Sequence, residues 1–219
     1  MRIDIAALTS GQPFCAGLLL VHRGRRVLTL NEDGIPAELA GKALRVGAVG
    51  GGQEPGEDIW ECALREAHEE TSVAADLVPS PRTWFYDWET REPVEVERVE
   101  DETAPLVLHR WERPTPDVAY KPGLPTGPYL YGADFLALAG DAADLRPGDD
   151  VAGLLLVPFD DWSVLDADLT LGDAVASGAE VVEARPLDAG LRLWVHPHEG
   201  LHVVRPLLDE PDVRSALGR

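Results

Sequence analysis

Residues 50–73 read GGGQEPGEDIWECALREAHEETSV, and this stretch decides the fold. Three consecutive glycines permit positive φ angles and close backbone approach, so they predict a tight turn. The carboxylates of Glu57 and Asp58 follow, where side-chain oxygens cap the first N–H groups of a helix and complement its dipole. The stretch therefore predicts a glycine loop that leads into one short helix.

The charges of this helix are its informative feature. At about 100° per residue, one arc is apolar and consists of Ile59, Trp60, Ala63, Leu64 and Ala67. The polar side chains opposite this arc are Glu61, Arg65 and His68. Glu66 and Glu70 instead fall at the edge of the apolar arc, with Glu69 beside them.

A solvated helix face explains Glu61 well but explains Glu66 and Glu70 poorly. Carboxylates that face a core without a partner are costly or take up protons. Hard divalent cations account for all three of Glu66, Glu69 and Glu70, because Mg²⁺ takes oxygen ligands and is commonly held by a few carboxylates plus substrate phosphates.

This stretch resembles the Nudix box, in which a glycine, a glutamate, an Arg-Glu pair and a Glu-Glu pair recur at fixed spacing. The positions that match the box are Gly51, Glu57, Arg65, Glu66, Glu69, Glu70 and Val73. Two positions depart from it: Ala67 is small where a larger aliphatic residue is usual, and Ser72 replaces the closing glycine. Ser72 is expected near the helix C-terminus, where glycine is preferred for left-handed geometry, at a cost of about 1 kcal/mol.

The resemblance implies an α/β fold, the Nudix α/β/α sandwich with a mixed central sheet, extended by an insertion and a C-terminal addition. We expect a single domain over residues 1–219 with a core at about 13–160. The region 89–128 is interpreted as a lid insertion beside the site, and 163–219 as the C-terminal addition.

The resemblance also implies a hydrolase that needs Mg²⁺ or Mn²⁺ and cleaves the pyrophosphate bond of a nucleoside diphosphate linked to another moiety. Its metal ligands would be the carboxylates of Glu66, Glu69 and Glu70 and the backbone carbonyl near Gly51. Glu57 and Arg65 would form an ion pair that orients the helix. In similar enzymes the general base is a glutamate of the box or a carboxylate outside it. In this chain the box candidate is Glu66, and the candidates outside the box are Glu100, Asp149 and Asp150. Of the outside candidates we choose Asp150, which lies just before a predicted strand.

Composition limits the partners. Asp and Glu outnumber Lys and Arg 39 to 19, which gives a net charge of −20, so we expect neither a nucleic acid nor a membrane surface as partner. No apolar run reaches the roughly 18 residues of a membrane span, and the first residues lack the pattern of a signal peptide. Two cysteines do not make a disulfide framework. We therefore expect a cytoplasmic enzyme with a small-molecule substrate, and a homodimer is compatible with this interpretation.

Several further elements are predicted from hydrophobic patterns. A hairpin over residues 14–30 carries a basic turn, and the other predicted strands are 44–49, 83–88, 106–111, 129–139 and 153–159. Short helices are predicted at 172–177 and 209–217. Leu191 to Val195 and Leu201 to Val204 are predicted to form a second hairpin.

Candidate substrate contacts come from the turn and the strands. Arg23, in the basic turn, is a candidate phosphate ligand, although such turns also keep hairpins soluble. The aromatic residues proposed to stack on a base are Trp84, Tyr86 and Tyr131, with Trp111 and Tyr129 as further candidates, although strand aromatics are more often core residues.

Two rival classes stay open. A non-catalytic Nudix-fold module that binds a nucleotide or regulates would have eroded glutamates, and here they are intact. An isomerase on the same fold would need a cysteine–glutamate acid/base pair, which Cys15 and Cys62 do not obviously provide. His196, His198 and His202 lie near one turn, but without cysteine partners surface histidines are a better interpretation than a zinc site.

Overall fold

The computed structural model describes residues 2–98, 103–140, 142–148 and 150–218. Its strands β1–β12 are, in chain order, Arg2–Ile3, Phe14–His22, Arg25–Asn31, Ala43–Gly52, Ala75–Val78, Thr83–Asp87, Pro93–Arg98, Val107–Glu112, Tyr129–Ala139, Gly153–Pro158, Glu180–Glu183 and Arg192–Val195. Its helices α1–α6 are Ile5–Thr9, Ile59–Thr71, Ser163–Asp166, Leu171–Ala176, Leu201–Leu207 and Pro211–Ala216. None of the helices in these ranges has the length and apolarity to cross a bilayer.

The described strands form one mixed sheet. Their order is β1-β7-β6-β8-β9-β2-β4-β3-β10-β11, with β12 joined to β4 and β5 joined to β9. Strand β2 runs parallel to β9 and antiparallel to β4. Central strands such as β2 and β10 are nearly continuous apolar runs, as expected for strands that are covered on both faces. The predicted α/β class with a mixed central sheet is confirmed.

Helices cover both faces of this sheet. In β2, Leu18 packs in a core with Ile59 of α2, whereas its neighbour Leu19 packs in a core with Val203 of α5 and Val213 of α6. Successive side chains of a strand point to opposite faces. Helix α2 therefore lies on one face and α5 and α6 lie on the other, which is the three-layer arrangement that the resemblance implies.

The C-terminal segment differs from its prediction. The predicted hairpin of Leu191 to Val195 with Leu201 to Val204 is wrong, because β12 pairs in parallel with β4 and the following segment is helix α5. The buried side chains of α5 recur at helical spacing and do not alternate; they are Leu201, Val203, Val204 and Leu207. The helices predicted at 172–177 and 209–217 are confirmed as α4 and α6.

The region interpreted as an insertion, residues 89–128, contributes β7 and β8 to the sheet. Strand β7 pairs with β6, and β8 pairs with both β6 and β9. Beyond β8, Arg113 donates hydrogen bonds to the carbonyl oxygens of Val118 and Gly127. The ring of Tyr120 then lies 3.1 Å from the position of a Cβ on Gly52. This part of the chain borders the end of β4, and its function as a lid stays a prediction.

Candidate active site

The glycines predicted as a tight loop are the last residues of strand β4, which extends to Gly52. Gly50 has a φ of 149°, and a Cβ there would lie 2.2 Å from the carbonyl oxygen of Ala16. A Cβ on Gly51 would lie 2.5 Å from the carboxylate of Glu66. Glycine is therefore needed at Gly50 so that β2 and β4 can pair, and at Gly51 so that the Glu66 side chain can lie against the backbone.

Helix α2 begins and ends as predicted. Asp58 accepts hydrogen bonds from the N–H groups of Trp60 and Glu61, and Glu61 accepts one from the N–H of Asp58, which completes a capping box. At the other end, Ser72 has a φ of 59°, in the left-handed region that favours glycine.

The buried face of α2 is shifted from its predicted position. Leu64, predicted in the apolar arc, is 41% exposed, and Cys62 and Thr71 are buried in its place. At about 100° per residue, this shift moves the centre of the buried arc towards Glu66 and Glu70. These two glutamates therefore project from the buried side of the helix, between the helix and the end of β4.

Arg65 ties the acidic residues together. Its Nε and Nη2 atoms donate to the two carboxylate oxygens of Glu57 at 2.8 and 3.0 Å. Its Nη1 donates to Glu66 and Glu69, each at 2.8 Å, and Nη2 also donates to the carbonyl oxygen of Gly52 at 2.9 Å. Burial alone would raise the pKa of Glu57, but the hydrogen bonds from Arg65 and the backbone hold it below its usual value. The predicted Glu57–Arg65 pair is thus present as a bidentate contact.

Glu70 and Glu66 carry half-buried carboxyl groups. Glu70 Oε2 accepts a hydrogen bond from the Gly50 N–H at 2.8 Å, yet burial raises the pKa of Glu70 to about 8. Burial also raises the pKa of Glu66, although Arg65 opposes this shift. Glu70 is therefore held where ionisation is costly without a cation, and Glu66 is held there with only the partial compensation of Arg65.

The donor set fits a hard divalent cation. Among the described residues, no group of three or more histidine, cysteine, aspartate or glutamate side chains converges on a metal position, because Glu66 and Glu69 face Arg65 and Glu70 faces Gly50. However, carboxylate oxygens and a backbone carbonyl are the ligands that Mg²⁺ and Mn²⁺ prefer. The burial of Glu66 and Glu70 is what a bound cation would offset. Their assignment with Glu69 and Gly51 as metal ligands stays a prediction.

A cavity of about 200 Å³ opens beside these groups. Gly50, Gly51 and Glu70 line it, together with Asp134 of β9 and Glu199, which lies between β12 and α5. Other residues that line it are Cys15, Ala16, Gly17, Thr29, Asn31, Arg45, Gly47, Ala48, Val49, His109, Trp111, Gly132, Ala133, His198 and Gly200. The cavity thus brings Glu70 of the box helix together with a second set of polar side chains.

That second set is acidic and hydrogen-bonded. The imidazole Nε2 of His109 lies 2.7 Å from Asp134 Oδ2. Glu199 Oε1 accepts a hydrogen bond from the Ala48 N–H at 3.2 Å. Burial, together with the charge of Asp134, raises the pKa of Glu199 to about 6. Glu199, like Glu70, is therefore protonated more readily than an exposed carboxyl group.

Cys15 lines the same cavity. It pairs with Gly132 across β2 and β9, and its Sγ lies 3.2 Å from the position of a Cβ on Gly132. Burial and the charges of Asp134, Glu199 and Glu66 raise the pKa of the Cys15 thiol to about 12. The thiol therefore stays protonated at neutral pH and is unsuited to act as a nucleophile. It does, however, stand in the cavity together with Glu70 and Glu199.

An aromatic wall extends from the cavity. His109 and Trp111 are stacked with ring centroids 5.1 Å apart, and Trp88 stacks on Trp111 at 5.6 Å. His198 lies against Trp88 at 4.9 Å. Beyond His198 lies a second cavity of about 350 Å³, lined by Tyr86, Trp88, Arg91, Pro93, Pro197, His198, His202, Val203 and Pro206. The two cavities share His198, so they adjoin.

The structure brings some predicted substrate contacts to these cavities and leaves others away from them. Tyr86 lines the second cavity. Trp84, two residues earlier on the same face of β6, is buried in the core with Val107. Tyr131 is buried on the opposite face of the sheet, in the core that contains Ile59. Arg23 lies at the exposed turn between β2 and β3, six residues or about 20 Å along the strand from Gly17 of the cavity.

The general-base candidates outside the box fare differently. Asp150 is exposed, in a turn before β10, and does not line either cavity described here. Glu100 and Asp149 lie outside the described residues. The backbone N–H of nearby Gly148 donates to the carbonyl oxygen of Glu70 at 3.0 Å, so this loop packs on the end of α2.

Sequence reasoning missed His109, Asp134, Trp88 and Glu199. Asp134 lies inside an apolar strand and gave a local signal as a lone acid at a buried position. Glu199 gave none, because it reaches Ala48 across 151 residues of sequence. Trp88 continues the row of alternate aromatic residues Trp84 and Tyr86 by one step, so the pattern was visible but its end at the cavity was not.

Comparisons with known proteins point to one family. A model described as the NUDIX domain matches residues 10–126. No curated protein matches this chain.

Solved structures with detectable similarity are distant. A NUDIX hydrolase from Nitrosomonas europaea is 14% identical, with 70% of this chain and 61% of that chain covered and a TM-score of 0.41, so this chain spans less than two thirds of that protein. A NUDIX-family hydrolase from Clostridium perfringens is 15% identical over 71% of this chain and 86% of its own, with a TM-score of 0.42. An Ap4A hydrolase from C. elegans is 14% identical over 65% and 77%, with a TM-score of 0.35.

Proposed function

The chain belongs to the NUDIX family of hydrolases, and from this premise we propose that it cleaves, with Mg²⁺ or Mn²⁺, the pyrophosphate bond of a nucleoside diphosphate linked to another moiety. One observation carries the proposal. The half-buried carboxyl groups of Glu66 and Glu70 lie against the backbone of Gly51 and Gly50, Glu70 lines the cavity, and partial burial raises both pKa values.

Glu66, Glu69, Glu70 and the carbonyl of Gly51 are the proposed metal ligands. When bound, the cation would neutralise the diphosphate oxygens and lower the pKa of water. Arg65 holds Glu57 and the carbonyl of Gly52 and so fixes the helix relative to the end of β4. If Glu66 and Glu69 left Arg65 to bind the cation, the bidentate contact between Arg65 and Glu57 would stay in place. Arg65 and Glu57 are therefore proposed as positioning residues, and Glu66, as a metal ligand, is proposed as a catalytic residue.

The aromatic wall supports a nucleoside as part of the substrate. A stack that contains Trp88 and Trp111 offers flat apolar faces to a base, and the adjoining cavity adds Tyr86 and Arg91. Arg45 lines the first cavity and brings a positive charge to a chain of net charge −20. A base against the wall and a diphosphate between Arg45 and Glu70 would use both cavities together. Arg23, Trp84 and Tyr131 remain proposals without this support.

A second candidate function has one observation in its favour. Cys15 lines the cavity with Glu70 and Glu199, so a cysteine–glutamate pair of the kind that an isomerase on this fold would need is available. A non-catalytic nucleotide-binding module is the third candidate. We further propose that the protein acts in the cytoplasm and has no nucleic-acid partner. A homodimer is compatible with this proposal.

A panel of nucleoside diphosphate derivatives, incubated with Mg²⁺ or Mn²⁺ and read by phosphate release after phosphatase treatment, tests the proposal. We expect hydrolysis of at least one compound, and loss of it in Glu70→Gln with an unchanged fold by circular dichroism. Glu61→Gln is the matched control, because Glu61 is exposed on the same helix and an amide oxygen can still accept the capping hydrogen bond.

Two other measurements, the products formed from an allylic diphosphate and melting with nucleotide, distinguish the other candidates. An isomerase would rearrange an allylic diphosphate without release of phosphate. A binding module would change its melting temperature with nucleotide but release nothing. Full turnover in Glu70→Gln would show that the metal ligands are assigned wrongly.

A further inference from the structure

The segment between β12 and α5 closes the cavity from the C-terminal side. The Glu199 N–H donates to the carbonyl oxygen of His196 at 2.9 Å, which forms a turn. The next residue, Gly200, packs so closely that a Cβ there would lie 2.6 Å from Asp134 Oδ2. These contacts hold the backbone around Glu199, and its side chain bonds to β4 through the Ala48 N–H. This segment lies beyond residues 10–126, which the family model matches.

Glu199 and Glu70 are held by neighbouring positions of one strand. The Ala48 N–H donates to Glu199, and the Gly50 N–H donates to Glu70. N–H groups of alternate residues point the same way and are about 7 Å apart along a strand. Two carboxyl groups, one from the box helix and one from the C-terminal segment, are therefore anchored two residues apart on β4, and both line the same cavity.

Glu199 lines the cavity, and its two carboxylate oxygens have different surroundings. Its Oε1 is used by Ala48, whereas Oε2 lies 3.4 Å from the position of a Cβ on Gly47 and receives no hydrogen bond from the described residues. The oxygens of Asp134 differ from this one, because Oδ2 is bonded to His109 and Oδ1 packs against Gly17.

The charges around Glu199 come from three strands and one helix. Asp134 of β9 and Glu70 of α2 disfavour its ionisation, whereas Arg45 of β4 and His109 of β8 favour it. With burial as the largest cause, the pKa of Glu199 rises to about 6. A carboxylate with such a pKa is ionised at neutral pH and is a better proton acceptor than an exposed one.

We propose that Glu199 is the general base of the hydrolysis, an inference that rests on the proposed function. Glu199 Oε2 takes a proton from the attacking water while the oxygen of that water forms a bond to phosphorus. The bond between that phosphorus and the bridging oxygen breaks, and its electron pair leaves with the departing phosphate. Glu199 then returns the proton to solvent, so no further reactant is consumed.

This assignment is tested with the variants Glu199→Gln and Glu199→Asp. Their kcat and KM are measured from acidic to alkaline pH with the best substrate of the panel and saturating Mn²⁺. We expect kcat to fall about 10²–10⁴-fold in Glu199→Gln, with KM nearly unchanged and the acidic limb of the kcat profile lost. Glu199→Asp should retain more activity and keep that limb. Asp209→Asn, exposed in the same C-terminal segment, removes one charge away from the cavity and should match the wild type.

Melting with Mn²⁺ separates a base from a metal ligand. We expect the Mn²⁺ concentration that gives half of the stabilisation to be the same in Glu199→Gln and the wild type. A tenfold rise in this Mn²⁺ concentration in Glu199→Gln, with kcat restored by excess Mn²⁺, would make Glu199 a metal ligand and overturn the proposal. A kcat of Glu199→Gln above about a third of the wild-type value, with the acidic limb of the profile intact, would also overturn it. Absence of hydrolysis by the wild-type chain would instead overturn the proposed function and, with it, the base.

Discussion

At the scale of single residues, the molecule departs from its family pattern at one strained position. Ser72 follows the last turn of α2 with a φ of 59°, and its N–H donates to the carbonyl oxygen of His68 at 2.8 Å. The left-handed conformation costs little for glycine but about 1 kcal/mol for other residues. Because Ser72 is exposed, nothing in the side-chain packing offsets this cost.

Ser72→Gly should therefore stabilise the protein. We expect a gain of about 0.5–1 kcal/mol, which corresponds to a rise in melting temperature of about 1–4 °C for a chain of this size. Differential scanning calorimetry measures the change. Ser72→Ala, which keeps the strain without the hydroxyl, is the matched control and should not raise the melting temperature; an equal rise in both variants would contradict the argument.

At the scale of elements, the end of β4 and helix α2 act as one unit through Arg65. The guanidinium group meets three carboxylates and the carbonyl of Gly52, and its side chain is only 20% exposed. A planar fork of donors makes this possible, whereas a lysine ammonium is a point charge that cannot hold both oxygens of Glu57.

Arg65→Lys should damage both stability and activity. We expect a loss of about 2–3 kcal/mol, a fall in melting temperature of about 5–10 °C, and a reduction in kcat/KM of about 10–100-fold. Thermal melting and steady-state kinetics check these values. Arg146→Lys is the control, because the ion pair of Arg146 with Asp144 is exposed on both sides and should contribute little. Equal effects of the two substitutions would argue against the network.

The elements show which parts of the sequence carried local information. Helix α2, its capping box and the left-handed end at Ser72 were predictable because each depends on residues within one or two turns. The hairpin at Leu201 was wrong because a short apolar run suits strand and helix alike until its burial is known. Leu64 was misplaced because the arc was drawn from apolar residues alone, and Thr71 replaces it at the buried face.

The cavity was less predictable than the helix. The box itself fixed the positions of Glu66 and Glu70 relative to Gly50 and Gly51. Asp134 meets His109 across 25 residues, and Glu199 meets Ala48 across 151. Such pairs depend on strand order and on the parallel pairing of β12 with β4, which no local pattern specifies.

At the scale of the whole molecule, two carboxyl groups that line the first cavity, those of Glu70 and Glu199, are partly withdrawn from solvent. The folded protein raises the pKa of Glu70 to about 8 and that of Glu199 to about 6, against an ordinary value of 4.5, chiefly through burial. Between pH 4.5 and about pH 8 the folded state therefore binds more protons at these two groups than the unfolded state does. The free energy of unfolding therefore falls as pH rises from about 4.5 to about 8.

Metal-free protein should accordingly melt at a lower temperature near pH 8 than near pH 5.5. Added Mg²⁺ should raise the melting temperature more at the higher pH, because it binds the ionised carboxylates. Melting curves in chelator and in millimolar MgCl₂ measure both effects. Glu70→Gln should flatten the dependence on pH and remove much of the response to Mg²⁺. A metal-free melting temperature that increased over this range would contradict the placement of the buried acids.

The stacked indoles also make the protein its own optical probe. Two of the six tryptophans, Trp88 and Trp111, lie 5.6 Å apart with their rings inclined by 15°, and they border adjoining cavities. An arriving heterocycle would alter the emission of this pair, so ultraviolet fluorescence quenching can report occupancy without any label and without turnover.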